Sequence, residues 1–426
     1  MKAALRMNAV ALITFIIIAA AQSRGIEDTT ENPSETIPTV PELIKAEGYP
    51  VESHYVTTSD GYILNVHRIP HGNNTTKINK KVAFLQHGLL SSSADWVLLG
   101  PRRSLAFVLA DAGYDVWMGN NRGNKYSRNH TTLDPDKRSS FWQFSWHEIG
   151  TVDVPETIDY VLRETAVDET FPKTRTFLGR CEAPCRTTIQ KLVEKFKSLG
   201  KLSDVKDKTQ ARCSRTAENN TAVAESVAEN PGVYYVGHSQ GTTVVYVMCA
   251  TKPEYNNKLK AQISLSPVIY VGHIVCPLLR TMANWEGVLT LSRQMIGMDE
   301  FLPGKGLLST ARSALCSADF GSAVCGNALF ALCGFNAQQL NATTDVPQIM
   351  AYAPAGSSTK QLLHFIQEIN SGEFRQFDYG YWRNLQRYGS VSPPRYDLHK
   401  VTAPSYLMYG KNDWLSDTGD VERAYK

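Results

Sequence analysis

The sequence predicts an α/β fold, an open sheet flanked by helices, and three observations carry that prediction. Apolar runs of strand length recur at residues 81–86, 114–118, 233–236 and 405–409. Stretches with helical apolar spacing, 105–112 and 141–162, lie between them. Third, Gly237-His238-Ser239-Gln240-Gly241 sits between the run 233–236 and the apolar stretch 242–248. Strand, tight turn and helix in that order form a nucleophile elbow, in which two glycines relieve crowding and a serine is lifted clear of the sheet. The helix that begins there aims backbone N–H groups at the place where an oxyanion would form. With 426 residues and 42% hydrophobic content, the chain can bury one large core and a second layer or cap.

Along the chain, residues 1–23 read as a signal peptide. Lys2 and Arg6 give a positive start, 9–21 is apolar but short for a bilayer, and Ala19-Ala20-Ala21 offers a cleavage site. The formal net charge of +3 becomes +1 once Lys2 and Arg6 leave, and Lys and Arg are scattered with no basic stripe, so neither nucleic acid nor an anionic membrane is implied. Acceptor triplets at Asn73, Asn74, Asn129, Asn219 and Asn341 fit the secretory route, with Asn74, Asn129 and Asn341 the glycosylation candidates. Residues 24–48, rich in Thr, Glu and Pro, form a lead-in, and 49–268 the first and larger part of the core.

Within that part, 55–69 alternates around Ser59-Asp60-Gly61 and predicts a hairpin. The strand at 81–86 runs into His87-Gly88-Leu89-Leu90, where this architecture places a second oxyanion donor; the other reading is a strand-ending turn with a packed histidine. The backbone N–H groups of Leu89 and Gln240 are the candidate pair. Gly119 to Asn124 forms a polar turn after the strand at 114–118. His147-Glu148 lacks the second histidine of a zinc-protease helix, so no metal site is supported. His238, adjacent to Ser239, cannot easily turn back on it and reads as packing.

Residues 166–231 are polar, mixed in charge and without sustained period, apart from a possible short helix at 189–199. Connections at this point of such folds are usually two to six residues long. The segment is either a surface insertion or translated non-coding sequence. Residues 269–395, dotted with apolar pairs, are assigned to a cap, and 396–426 returns to the core. Of the eight cysteines, Cys316 and Cys325 are close enough to close a short loop worth roughly 2–3 kcal/mol. Cys333 reads as a buried free thiol, and Cys181, Cys185 and Cys213 fall in the insertion.

Asp60-Gly61-Tyr62-Ile63-Leu64, Gln86-His87-Gly88-Leu89-Leu90, Gly113-Tyr114-Asp115-Val116-Trp117, Asn121-Arg122-Gly123-Asn124, Gly237-His238-Ser239-Gln240-Gly241-Thr242-Thr243 and Asn327-Ala328-Leu329-Phe330 together resemble the acid lipase family of gastric and lysosomal lipases. The resemblance runs from about Tyr49 to Val421. It implies an α/β-hydrolase fold with a mainly helical cap, and cleavage of triacylglycerols or cholesteryl esters at a lipid–water interface. It further implies secretion or a lysosomal destination, no metal or organic cofactor and no nucleic-acid partner. Residue by residue, it implies Ser239 as nucleophile, Leu89 and Gln240 as oxyanion hole, and Cys316 paired with Cys325. In the loop after the strand at 405–409 it implies Asp413 as the acid of the triad, with Asp417 and Asp420 as rivals if the register is shifted. These enzymes order their triad as Ser, acid, His. None of the ten histidines follows Asp413, so no catalytic histidine is assigned here. The C-terminal part of the fold is expected to be incomplete and the sheet edge at 405–409 uncovered. A lipase-like lipid carrier that keeps the fold without the chemistry is the second functional reading.

Overall fold

Strands buried on both faces form the middle of the sheet. The computed structural model describes residues 37–73, 81–137, 139–170, 204–207, 232–303 and 344–426. The expectations for the signal peptide and for Asn74, Asn219, Asn341, Cys181, Cys185, Cys213, Cys316, Cys325 and Cys333 lie outside these residues.

In chain order the elements are α1 (Val40–Ala46), β1 (Glu52–Thr57), β2 (Tyr62–Ile69), β3 (Lys81–Gln86), α2 (Leu105–Asp111), β4 (Tyr114–Met118), β5 (Asn129–His130), α3 (Val154–Thr170), β6 (Asp204–Asp207), β7 (Val233–His238), α4 (Gln240–Thr251) and β8 (Leu259–Leu265). There follow α5 (Pro277–Asn284), α6 (Glu286–Ile296), β9 (Glu300–Phe301), α7 (Asp345–Tyr352), β10 (Ser357–Ser358), α8 (Thr359–Ser371), α9 (Tyr381–Tyr388), β11 (Ser405–Tyr409) and α10 (Thr418–Tyr425). The sheet order is β1-β2-β4-β3-β7-β8-β11-β6, with β5 on β2 and a separate β9–β10 ribbon. Strands β4, β3, β7, β8 and β11 run parallel, so their C-terminal ends share one edge. Ligands of open α/β sheets bind outside that edge.

Side-chain alternation assigns each strand to two cores. Phe84, Trp117 and Tyr235 face α3 and α4, packing with Ile158, Val161, Val244 and Val247. Ala83, Leu85, Val116, Met118 and Val236 face α1 and α2, packing with Ile44, Phe107 and Ala110. The hairpin predicted at 55–69 is β1–β2, paired antiparallel from Glu52↔Arg68 to Thr57↔Ile63.

Two expectations are corrected. The helix expected across 141–162 starts later: Ser139–Trp142 is a 3-10 turn, Trp146–Glu148 a short helical turn and Ile149–Asp153 a π-turn leading into α3. The π-turn lies where the chain crosses α4 most closely, since a Cβ on Gly150 would meet Val247 Cβ at 2.7 Å and Val244 O at 2.8 Å. The edge beyond β11 is also not bare. Asp204–Asp207, inside the 166–231 segment, pairs antiparallel with β11 from Tyr409↔Asp204 to Tyr406↔Asp207. Edge pairing needs backbone groups rather than an apolar period, and Asp-Val-Lys-Asp offers no period to read.

Arg122, in one of the quoted motifs, is joined to another at Asp60 and Tyr62 and to Asp153 at the head of α3. Its Nε donates to both carboxylate oxygens of Asp153 at 2.9 Å, and its terminal nitrogens donate to Asp60 at 2.6 and 3.0 Å. The guanidinium lies 3.9 Å from the Tyr62 ring centroid, and its side chain is 1% exposed. Arg122→Met leaves Asp153, itself 4% exposed, as an uncompensated buried charge, and an unfolding free energy lower by about 3–5 kcal/mol is expected. Chemical denaturation of the two proteins checks this; a loss under about 1 kcal/mol contradicts it.

Candidate active site

The elbow has the backbone the motif calls for. Ser239 adopts φ 51° and ψ −119°, a positive φ that costs a non-glycine residue of order 1–3 kcal/mol and is held here by its surroundings. Its N–H donates to Leu265 O at 3.0 Å, and its carbonyl accepts from Thr242 N at 2.8 Å and Thr242 Oγ1 at 2.6 Å. Thr242 Oγ1 also accepts from Val268 N at 2.8 Å, and Thr243 Oγ1 donates to Val268 O at 2.5 Å, so the β8 loop braces the turn. Both motif glycines are required by contact. A Cβ on Gly237 would lie 2.6 Å from Gly241 O, and one on Gly241 would lie 2.1 Å from Gln86 O. The second contact brings the end of β3 directly against the elbow.

That approach brings the residue before the candidate second donor, Leu89, against the serine. A Cβ on Gly88 would come within 3.1 Å of Ser239 Cβ, so Leu89 follows immediately from the point of contact. Gln240 opens α4, where an N–H has no intrahelical carbonyl to meet. His87 holds the β3 turn. It is 1% exposed, its Nδ1 lies 2.7 Å from Gly88 O, and its Nε2 accepts from Asn121 N at 3.0 Å and lies 3.2 Å from Asn124 Nδ2. Burial lowers its pKa to about 4, so it is a neutral imidazole with the proton on Nδ1. His87 is therefore the packed, turn-holding histidine and also part of what positions Leu89. His238 is half-buried beside Gly88.

Asp413 lies in the loop after β11, on the same sheet edge. Its Oδ1 accepts from Leu415 N at 2.9 Å and Ser416 N at 3.0 Å, which fixes the carboxylate, and Ser416 Oγ donates to Pro267 O at 2.8 Å. This ties the loop of Asp413 to the same β8 loop that braces the elbow. The rivals are occupied otherwise. Asp417 caps α10 through Gly419 N, and Asp420, 2% exposed, accepts from His273 N and contacts His273 Nδ1, both at 2.8 Å. Of the histidines between the elbow and Asp413, His399 and His364 are engaged away from the serine. His399 is exposed and precedes β11, at the opposite edge of the sheet from Asp413. His364 is buried against Trp146, rings stacked 3.6 Å apart, with Nε2 on Arg375 O at 3.0 Å and a pKa driven well down by burial.

Sequence reasoning missed the contact between the elbow and α8. Gln240 is 1% exposed, and its Nε2 donates to Gln361 Oε1, whose own Nε2 donates to Ser357 Oγ at 2.8 Å. Lys360, 4% exposed, reaches Gln143 O at 3.2 Å and Tyr379 Oη at 2.9 Å. No local signal in the sequence relates Gln361 to Gln240 across 120 intervening residues.

The chain is also similar to known proteins. Residues 40–100 match the family model described as a partial alpha/beta-hydrolase lipase region. The chain is 41% identical to Lipase 3 of Drosophila melanogaster over 90% of its own length and 81% of that protein's. It is 32% identical to the lysosomal acid lipase/cholesteryl ester hydrolase of Homo sapiens, covering 98% and 88% of the two chains. It is 33% identical to the gastric triacylglycerol lipase of Rattus norvegicus, covering 90% and 80%.

Proposed function

Given that the chain belongs to the acid lipase family of α/β-hydrolases, we propose that Ser239 is its nucleophile and Asp413 the acid of its triad. The protein is a serine ester hydrolase, a lipase. Its substrates in this reading are neutral lipid esters, triacylglycerol or cholesteryl ester, met at a lipid–water interface. Its setting is the secretory route, outside the cell or in the lysosome. Among the described residues no helix is long and apolar enough to cross a membrane. Asn129, exposed at the start of β5, can carry a glycan along that route, and residues 269–395 are the cap in this reading.

The steps follow from the geometry. Ser239 Oγ attacks the ester carbonyl carbon while its proton passes to a histidine base, the third member of such a triad. The carbonyl π pair moves onto oxygen, and the N–H groups of Leu89 and Gln240 hold that charge. Collapse expels the alcohol, which takes the proton, and water then cleaves the acyl-enzyme by the same sequence. Asp413 keeps the histidine in the right tautomer and stabilises its cation.

The observation that carries the reading is the strained Ser239 backbone set against Gly88 and the start of α4. Its test is covalent labelling of the full-length protein with a fluorophosphonate ester, followed by peptide mapping. A single adduct on Ser239 is expected. An unlabelled, folded protein would mean a lipid carrier.

A further inference from the structure

We propose that α9 and the turn after it form the surface by which the enzyme docks on an anionic phospholipid layer. The proposal rests on the lipase reading for its purpose, and on the following for its content.

Helix α9 is exposed almost all round. Tyr381 is 58% exposed, Trp382 77% and Leu385 43%, and Val391 beyond the helix is 46% exposed. At 100° per residue, Tyr381, Leu385 and Trp382 fall on one contiguous arc, and Arg383 and Arg387 fall together on the flank past Trp382. Both arginines are exposed. From Tyr379 to Tyr396 the chain carries Arg383, Arg387 and Arg395 and no Asp or Glu. Arg395 is drawn to Glu373 at 3.3 Å, which leaves the charge of the patch to the two helix arginines. The +3 total of the whole chain says nothing against a local excess of this kind.

Hydrogen bonds hold the helix in this attitude. Asn384 is its one buried residue, accepting from Tyr379 N at 2.9 Å and donating to Asp378 Oδ1 at 2.8 Å and Val391 O at 2.9 Å. Tyr388 Oη donates to Phe377 O at 2.9 Å. The fold thus anchors the helix through Asn384 and Tyr388 and leaves the aromatic face outward. Trp and Tyr favour the headgroup level of a lipid layer, where the ring is apolar and the edge stays wet, and arginines beside them meet anionic headgroups. Two arginines 4 residues apart beside an aromatic arc complement such a layer in both charge and polarity.

The test is co-sedimentation of the full-length protein with phosphatidylcholine vesicles, with and without phosphatidylglycerol. Tighter binding to the anionic vesicles, weakening as salt is raised, is expected. Arg383→Gln/Arg387→Gln should weaken that binding roughly thirtyfold, and Arg383→Gln alone roughly fivefold. Trp382→Ser should weaken it at least about tenfold on both kinds of vesicle. Met295→Ser on α6, where the native side chain is also 77% exposed, should leave it unchanged. Thermal midpoints of all variants should match the parent, since these side chains lie at the surface. Equal binding to both vesicles, unchanged binding by the α9 variants, or equal loss from Met295→Ser overturns the proposal. Self-association that Trp382→Ser abolishes would assign the face to a second copy instead. Fluorophosphonate labelling of Ser239 in the same samples reports the chemistry separately, so failure of docking and failure of the lipase reading are told apart.

Discussion

Ser239→Ala in the full-length enzyme lowers turnover of a short-chain nitrophenyl ester by about a million-fold, because loss of one member of a working triad forfeits nearly all the advantage of the set. Stability should move little. The residue is half-buried, alanine bears the same cost of positive φ as serine, and the turn's hydrogen bonds run through backbone and Thr242 rather than through the Ser239 hydroxyl. Steady-state kinetics with a thermal melt on the same sample separates the two effects. Activity within tenfold of the parent would remove Ser239 from the chemistry.

Asp413→Asn lowers turnover about ten-thousand-fold while the fold survives. An asparagine keeps an oxygen that can accept from Leu415 and Ser416 N–H, so the loop stays in place. What it loses is the charge that selects the histidine tautomer and stabilises the imidazolium. The rivals give the contrast. Asp417→Asn should change stability by less than about 1 kcal/mol through the α10 cap and leave turnover alone. Asp420→Asn weakens a buried contact to His273, so it should lower the melting midpoint rather than the rate. A collapse in turnover on Asp417→Asn with Asp413→Asn near the parent would shift the acid by four residues.

The sheet was legible where burial leaves a local trace. Strands covered on both faces must be apolar throughout, and 81–86, 114–118 and 233–236 are all realised as strands. The elbow was legible because positive φ and close approach leave few residue choices, so glycines appear at fixed offsets. The rest depended on partners distant in sequence. Arg122 looks like a turn residue until Asp60 and Asp153 are brought to it. Phe141 and Phe144 continue the apolar spacing of the helix behind them, yet they are buried outside it, in the turns that precede α3. Asp204–Asp207 pairs through its backbone, so nothing in its side chains announces a strand. Gln240 was readable as a backbone donor and not as the partner of Gln361.

The account stands on a covalent intermediate at one oxygen. The most direct measurement is rapid acid quenching of the full-length enzyme during turnover of a nitrophenyl ester, with mass spectrometry of its peptides. The account predicts an acyl group on the peptide that holds Ser239, formed as fast as the initial burst of nitrophenol and absent from Ser239→Ala. An acyl group on any other residue, or turnover at full rate with Ser239 unmodified throughout, would contradict it.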